Sequence, residues 1–225
     1  MPEPRAVVLD VDGTLVDSVY HHTFAWTRAF RRAGHPVDTW RIHRHIGMGG
    51  DRLVAAVADQ EVEDRSGDLI REIWEGEYDA IIDDVGPLDD ARALLAALRD
   101  RGLRIALASS SIPQHAERAF DLLDADRYAD VTTTSEDADE SKPDSELVAV
   151  AMERLGTGNA CMVGDAVWDV VAASHAGIAT LGVCCGGYGR QELLDAGAVE
   201  VYLGPGDLLA HLDIGLEIAF GVRTG

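Results

Sequence analysis

The chain has 225 residues, 47% of them hydrophobic, and its 40 acids against 19 Lys and Arg give a formal net charge of −21 at pH 7. That length and apolar content support one large domain or a core with a smaller second unit, and the charge argues against nucleic acid and anionic membrane as partners. No run is as long as a membrane span, no charged-then-apolar signal segment opens the chain, and three cysteines make no disulfide framework, so a cytoplasmic protein is expected.

In chain order, Ala6-Val7-Val8-Leu9 reads as a buried strand stopped by Asp10-Val-Asp12-Gly13-Thr14. The strand period puts the Asp10 and Asp12 carboxylates on one side of the strand's carboxyl end, where a hard cation such as Mg²⁺ would relieve their repulsion. Read alone, the segment fits an Asp-rich surface turn equally well. A calcium loop fails on register, because Leu15 and His21 stand at its sixth and twelfth positions. From Val19 to Ile82 the helical period takes over, with apolar faces at Tyr20-Phe24, Ile42-Ile46, Leu53-Val57 and Ile70-Trp74. In this stretch His21-His22 and His43-x-His45 lack companion ligands, and the latter pair reads as surface.

After Gly86-Pro87, helix (Leu88 to Asp100), strand (Arg104 to Ala108), helix (Pro113 to Leu123) and strand (Tyr128 to Thr132) alternate. Helix (Pro143 to Leu155), strand (Ala160 to Val163), helix (Trp168 to His175) and strand (Ile178 to Val183) continue the series. The pattern predicts an α/β fold, a doubly wound parallel-sheet Rossmann-like core with an inserted all-helical unit. The acid cluster Glu136 to Glu140 reads as solvated loop.

Three further segments carry candidate chemistry. Ser109-Ser110-Ser111 follows a strand and precedes a helix, whose N-terminus favours an anion. Gly164-Asp165-x-x-x-Asp169 puts two acids at another strand-to-helix turn, on one helical face if the helix starts early. Lys142 is the only lysine beside 18 arginines. A compact ammonium fits between a carboxylate and a phosphoryl oxygen better than a planar guanidinium does. A stray surface lysine, with Pro143 at the first helical position, is the alternative.

These motifs, in this order, resemble the haloacid dehalogenase superfamily, in the branch with a type-1 helical cap that holds phosphoglycolate phosphatases and β-phosphoglucomutases. The resemblance implies a core at residues 1–16 and 86–225 and a cap at 17–85. It implies Asp10 as nucleophile and Asp12 as general acid and base. Mg²⁺ would sit on the Asp10 and Asp165 carboxylates and the Asp12 main-chain carbonyl, with Asp169 behind it. Ser109, Ser110 and Lys142 would hold the phosphoryl group, and His22, Gly47, Gly50 and Arg52 are cap or substrate candidates. In this family Asp12 argues for phosphoryl chemistry over dehalogenation, and a cap without lysine excludes phosphonate cleavage. The expectation is a Mg²⁺-dependent phosphomonoester hydrolase acting on a small phosphorylated metabolite, with no obligate protein partner implied. The alternatives are a β-phosphoglucomutase-like isomerase, whose cap arginine is matched here by Gly50 with Arg52 two positions on, and a non-catalytic phosphate-binding module.

Overall fold

Strand β1 (Ala6–Asp10) is buried along its whole length. Side chains alternate across a strand, so Val7 and Leu9 join one apolar cluster while Ala6 and Val8 join another on the opposite face. A sheet covered on both faces needs such continuous apolar strands. The computed structural model describes residues 4–138 and 141–221. Its elements after β1 are α1 (Val19–Arg32), α2 (Thr39–His43), α3 (Gly50–Val57), α4 (Gln60–Asp79), α5 (Ala91–Asp100) and β2 (Arg104–Ala108). There follow α6 (Pro113–Leu122), α7 (Ala125–Tyr128), β3 (Val131–Thr133), α8 (Glu146–Leu155), β4 (Ala160–Gly164) and α9 (Val167–His175). The chain continues through β5 (Ala179–Val183), α10 (Arg190–Ala196), β6 (Glu200–Tyr202), α11 (Pro205–Ala210) and α12 (Leu212–Gly221).

All six strands are parallel, in the order β3-β2-β1-β4-β5-β6. This is the doubly wound α/β sheet expected from the sequence. Its strand order reverses beside β1, where such sheets open a crevice at their carboxyl ends. α8 packs on β1 and β2 from one side, while α5 and α12 cover the other.

Between β1 and β2 lie only helices and one short 3-10 turn. His22, Trp26 and Phe30, spaced by four along α1, meet Ile70, Trp74 and Tyr78, spaced by four along α4. The Trp26 and Trp74 rings stack with centroids 4.8 Å apart. Burying each such aromatic contributes roughly 2–3 kcal/mol. Asp59 starts α4 by accepting the Val62 N–H at 2.9 Å. The chain enters this helical stretch at Val16 and returns at Pro87, and the two passes touch. Asp17 N–H donates to the Gly86 carbonyl at 2.9 Å, and Leu88 N–H donates to the Leu15 carbonyl at 2.8 Å.

Several boundaries differ from the sequence expectations. Tyr128 ends the one-turn helix α7 instead of opening a strand, and β3 starts three residues later. Pro143 lies before α8, which begins at Glu146. Beyond Val183 the periodicity gave no elements, yet β6 and three helices follow. The acid cluster is not simply loop: Asp137 accepts the Thr134 N–H at 2.8 Å and pairs with Arg154, while Asp139 and Glu140 lie outside the described residues.

Candidate active site

Strand register brings the chemistry together. Asp10 stands opposite Ala108 of β2, and Leu9 stands opposite Val163 of β4, so Asp10, Ser109 and Asp165 emerge along one edge of the sheet. Lys142 arrives from the segment before α8 and is 0% exposed, the opposite of a stray surface lysine. Its ammonium pairs with the Asp10 carboxylate and lies 2.7 Å from Asp169 Oδ1. Burial alone would pull that ammonium down, but the charges of Asp10 and Asp169 outweigh it and hold Lys142 protonated well above its ordinary range. Asp169 accepts the Ala166 N–H at 3.0 Å with its other oxygen, so it both caps α9 and anchors the lysine.

Asp10, Asp165 and Asp169 offer oxygens within 4.8 Å of one another, all buried. The Thr14 hydroxyl lies 3.0 Å from Asp10 Oδ2 and 2.8 Å from Asp165 Oδ1. Burial pushes both carboxyls up; Lys142 opposes the shift at each, the Asp169 charge adds to it at each, and the Asp10 charge adds to it at Asp165. Three buried carboxylates facing one ammonium leave an excess of two negative charges when all are ionised, which a single divalent cation would balance. The donor set, oxygen only, suits Mg²⁺. Two glycines make the room. A Cβ at Gly186 would lie 1.6 Å from Asp165 Oδ2, and one at Gly13, whose φ is +91°, would lie 2.7 Å from the same atom.

The paired-carboxylate expectation for Asp10 and Asp12 is corrected. The strand ends at Asp10, and the Asp12 carboxylate leaves the acid cluster for a pocket of hydroxyls. Ser18 donates to Asp12 Oδ1 at 2.8 Å, Ser109 and Ser111 each donate to Oδ2 at 3.0 Å, and His22 Nε2 lies 3.4 Å from Oδ1. Burial works to raise this carboxyl, but the His22 imidazole, by hydrogen bond and charge, and the hydroxyls of Ser18 and Ser109 hold it below the usual carboxylate range. His22 itself stacks on Tyr78 with centroids 3.9 Å apart. Ser18, at the start of α1, thus gives its hydroxyl to Asp12 instead of capping the helix.

Residues 4–177 match the haloacid dehalogenase-like hydrolase family. The chain belongs to that family. Over 214 residues this hydrolase is 30% identical to a phosphoglycolate phosphatase of Rhodospirillum rubrum, covering 88% of this chain and 87% of that protein. It is 28% identical over 185 residues to a validoxylamine A 7′-phosphate phosphatase of Streptomyces hygroscopicus subsp. limoneus, covering 80% of this chain and 85% of that one. Among solved structures, a hydrolase from Pseudomonas syringae superposes with a TM-score of 0.88 at 32% identity, covering 93% of this chain and 98% of that one. The chain is therefore an enzyme of the haloacid dehalogenase-like kind, related to phosphatases.

In this hydrolase the remaining sequence candidates fall into two groups. His22, Gly47, Gly50 and Ser110 line a small chamber over Asp10 and Asp12, together with Trp26, Met48 and Trp74. Ser110 Oγ is buried without a partner, whereas the Ser109 hydroxyl is already committed to Asp12. Arg52 is not among the lining residues; its Nε lies 3.9 Å from Asp51. Asp165 precedes α9, so it shares no helical face with Asp169. His43 and His45 are half-buried rather than surface residues. His43 Nε2 lies 3.1 Å from the Gly186 carbonyl, and His45 stacks on Trp168 with centroids 5.9 Å apart. Beside them Arg44 pairs with Glu192 at 2.5 Å and accepts the Tyr188 hydroxyl at its carbonyl at 2.6 Å.

Sequence reading passed over Thr14, Ser18, Ser111 and Gly186. Thr14 and Ser111 lie inside the segments already singled out and Ser18 lies four residues past the first, and their hydroxyls are the signal. Gly186 gave none, since its role is to make room for a side chain from another strand end. Cys185 is half-buried there and donates Sγ–H to the Gly13 carbonyl at 3.1 Å.

Proposed function

We propose that this hydrolase is a Mg²⁺-dependent phosphomonoesterase that acts on a small phosphorylated metabolite through an aspartyl-phosphate. One observation carries the reading. Asp10 is held by Lys142 and Thr14 in a carboxylate cluster, and an acid of different environment, Asp12, stands two residues away on separate partners. Two carboxyls in separate surroundings, one against an ammonium and one among hydroxyls and an imidazole, can take the separate roles of nucleophile and acid/base.

A carboxylate oxygen of Asp10 attacks phosphorus and the ester P–O bond breaks, with the leaving oxygen taking a proton from Asp12. The negative charge of an arriving phosphate favours protonated Asp12 at that moment. Asp12, now a carboxylate, takes a proton from water as the water oxygen attacks phosphorus. The P–O bond to Asp10 then breaks and releases inorganic phosphate. Lys142 and the Ser110 hydroxyl hold phosphoryl oxygens, and Asp169 keeps the lysine in place. Mg²⁺, held by Asp10, Asp165 and the Asp12 carbonyl, supplies positive charge against the phosphoryl oxygens when bound. Helices α1 to α4 act as a cap over residues 17–85, closing on the core at residues 1–16 and 86–225 through the adjacent passes at Val16 and Pro87.

No helix among the described residues is long and apolar enough to cross a membrane. The free thiols fit the cytoplasm. The deciding assay follows inorganic phosphate and β-glucose 1-phosphate isomerisation in parallel with Mg²⁺ present. Steady phosphate release from phosphomonoesters is expected. Isomerisation far outpacing it makes the protein a mutase, and neither activity makes it a binding module.

A further inference from the structure

The chamber over Asp10 and Asp12 is small, about 50 Å³, but it shares Gly50, Trp74 and Ser110 with a cleft of about 470 Å³. The cleft lies between α3 and α4 on one side and the strand-end segments of the core on the other, with Ile112 and Leu147 among its apolar walls. A space of that size encloses a whole small organic molecule. A Cβ at Gly50, which lines both chambers, would touch the Trp26 ring at 3.4 Å and Arg71 Cδ at 4.0 Å, so a larger residue there would crowd the junction between them.

The charges around this cleft are one-sided. Arg71 is the only cation among its described lining residues, and its guanidinium is already committed. It holds Glu63 at 3.0 and 2.8 Å, Asp68 at 2.9 Å and the Gly50 carbonyl at 3.2 Å. Asp51, Glu72 and Glu75 line the same cleft. Glu72 and Glu75 have no ion-pair partner among the described residues. The buried polar atoms left uncommitted are neutral. Trp74 is 8% exposed and its indole N–H is unpartnered, as are the Ser110 and Ser141 hydroxyls. A buried donor without a partner favours a ligand that brings an acceptor.

Building on the phosphatase reading above, we propose that the substrate is the phosphate monoester of a bulky, partly apolar alcohol that is uncharged or amine-bearing. It carries no carboxylate or second phosphate. The phosphoryl group enters the small chamber, and the alcohol fills the larger cleft against Trp74, Ile112 and Leu147. A second anion there would meet three acids and no uncommitted cation, whereas an ammonium would meet Glu72 and Glu75. Neutral hydroxyl or ring acceptors take hydrogen bonds from Trp74 and Ser141, while Ser110 serves the phosphoryl group.

The test uses three esters whose distal charge differs while the reacting bond stays alike: benzyl phosphate, 4-(aminomethyl)benzyl phosphate and 4-carboxybenzyl phosphate, each with Mg²⁺. The aminomethyl ester is expected to exceed the carboxy ester by about tenfold or more in kcat/KM, from two carboxylates acting through partly solvated space. In the double variant Glu72→Gln, Glu75→Gln, whose sites are exposed, that ratio is expected to narrow to within about threefold, each ester being compared with benzyl phosphate in the same variant. A carboxy ester that matches or beats the aminomethyl ester overturns the inference while leaving the phosphatase reading intact. So does a ratio that survives the double variant. Phosphate release from none of the three and from no other monoester overturns the phosphatase reading and this inference with it.

Discussion

On the sheet side of the cleft, each ionised group is tied to named partners: Lys142 to Asp10 and Asp169, Thr14 to Asp10 and Asp165, and three hydroxyls with His22 to Asp12. On the helical side the wall is stacked aromatics, with the Trp74 N–H unpartnered and Glu72 and Glu75 in no ion pair among the described residues. The contrast separates two tasks. Positions that must hold to a few tenths of an ångström during bond making are fixed by charge-assisted bonds in a dry interior. The surface that meets the alcohol is left uncommitted, and its partners arrive with the substrate.

The largest effect should come from breaking the sheet side at its centre. Asp10→Asn is expected to lower phosphate release by more than a hundredfold, because loss of covalent catalysis costs several kcal/mol. Its thermal midpoint without Mg²⁺ should hold or rise, since one of three crowded carboxylates is gone. Retention of more than about one per cent of the wild-type rate would remove Asp10 from the role of nucleophile.

Next comes the lysine. Lys142→Ala leaves buried carboxylates unpaired and is expected to cost about 3–5 kcal/mol of stability in denaturant unfolding, together with activity. Lys142→Arg should not restore the rate, because a planar fork does not fit the space of an ammonium lodged between two carboxylates. An arginine variant working as well as wild type would show that only charge matters there.

A third experiment sharpens the comparison with protons and metal. Asp10 and Asp165 carry raised carboxyls in the folded chain, so the folded state binds more protons than the unfolded one. Stability without metal should therefore decline as pH rises from 5 to 8 through this site. Asp12, held low, contributes in the opposite sense, but only below the ordinary carboxylate range. Mg²⁺ competes with those protons. At saturation it should raise the thermal midpoint by about 5 °C at pH 8 and much less at pH 5, measured by calorimetry. A rise equal at both pH values would place the ion elsewhere.

The smallest effect lies where the helices touch the core outside the cleft. Glu192→Gln removes the partner of Arg44 at a half-exposed contact and should change stability by less than about 1 kcal/mol. A larger loss would mean that this contact, and not the aromatic wall, sets how the helical side sits.

Much of this was legible in the sequence because the chemistry falls at strand ends, where apolar runs stop abruptly at Asp10, Ser109 and Asp165. The helical stretch was legible from its period, since α1 and α4 each bury one face. The direction of the Asp12 side chain was not, because it depends on the strand ending at Asp10 and on Ser111 arriving from β2. The last strand of the sheet was missed for a related reason. β6 is three residues long and includes Glu200, whose carboxylate accepts the Val201 N–H at 2.9 Å, so it shows neither a run nor a clear alternation.

A protein with one lysine, and that one fully enclosed, presents a folded surface without a single side-chain amine among its described residues. Acylating reagents that decorate most proteins indiscriminately will find here one side-chain target, available only while the site is open. The rate at which Lys142 takes up such a label thus reports breathing of the reaction centre itself, read by mass from one residue, with no engineered probe. A ligand that closes the centre slows that clock.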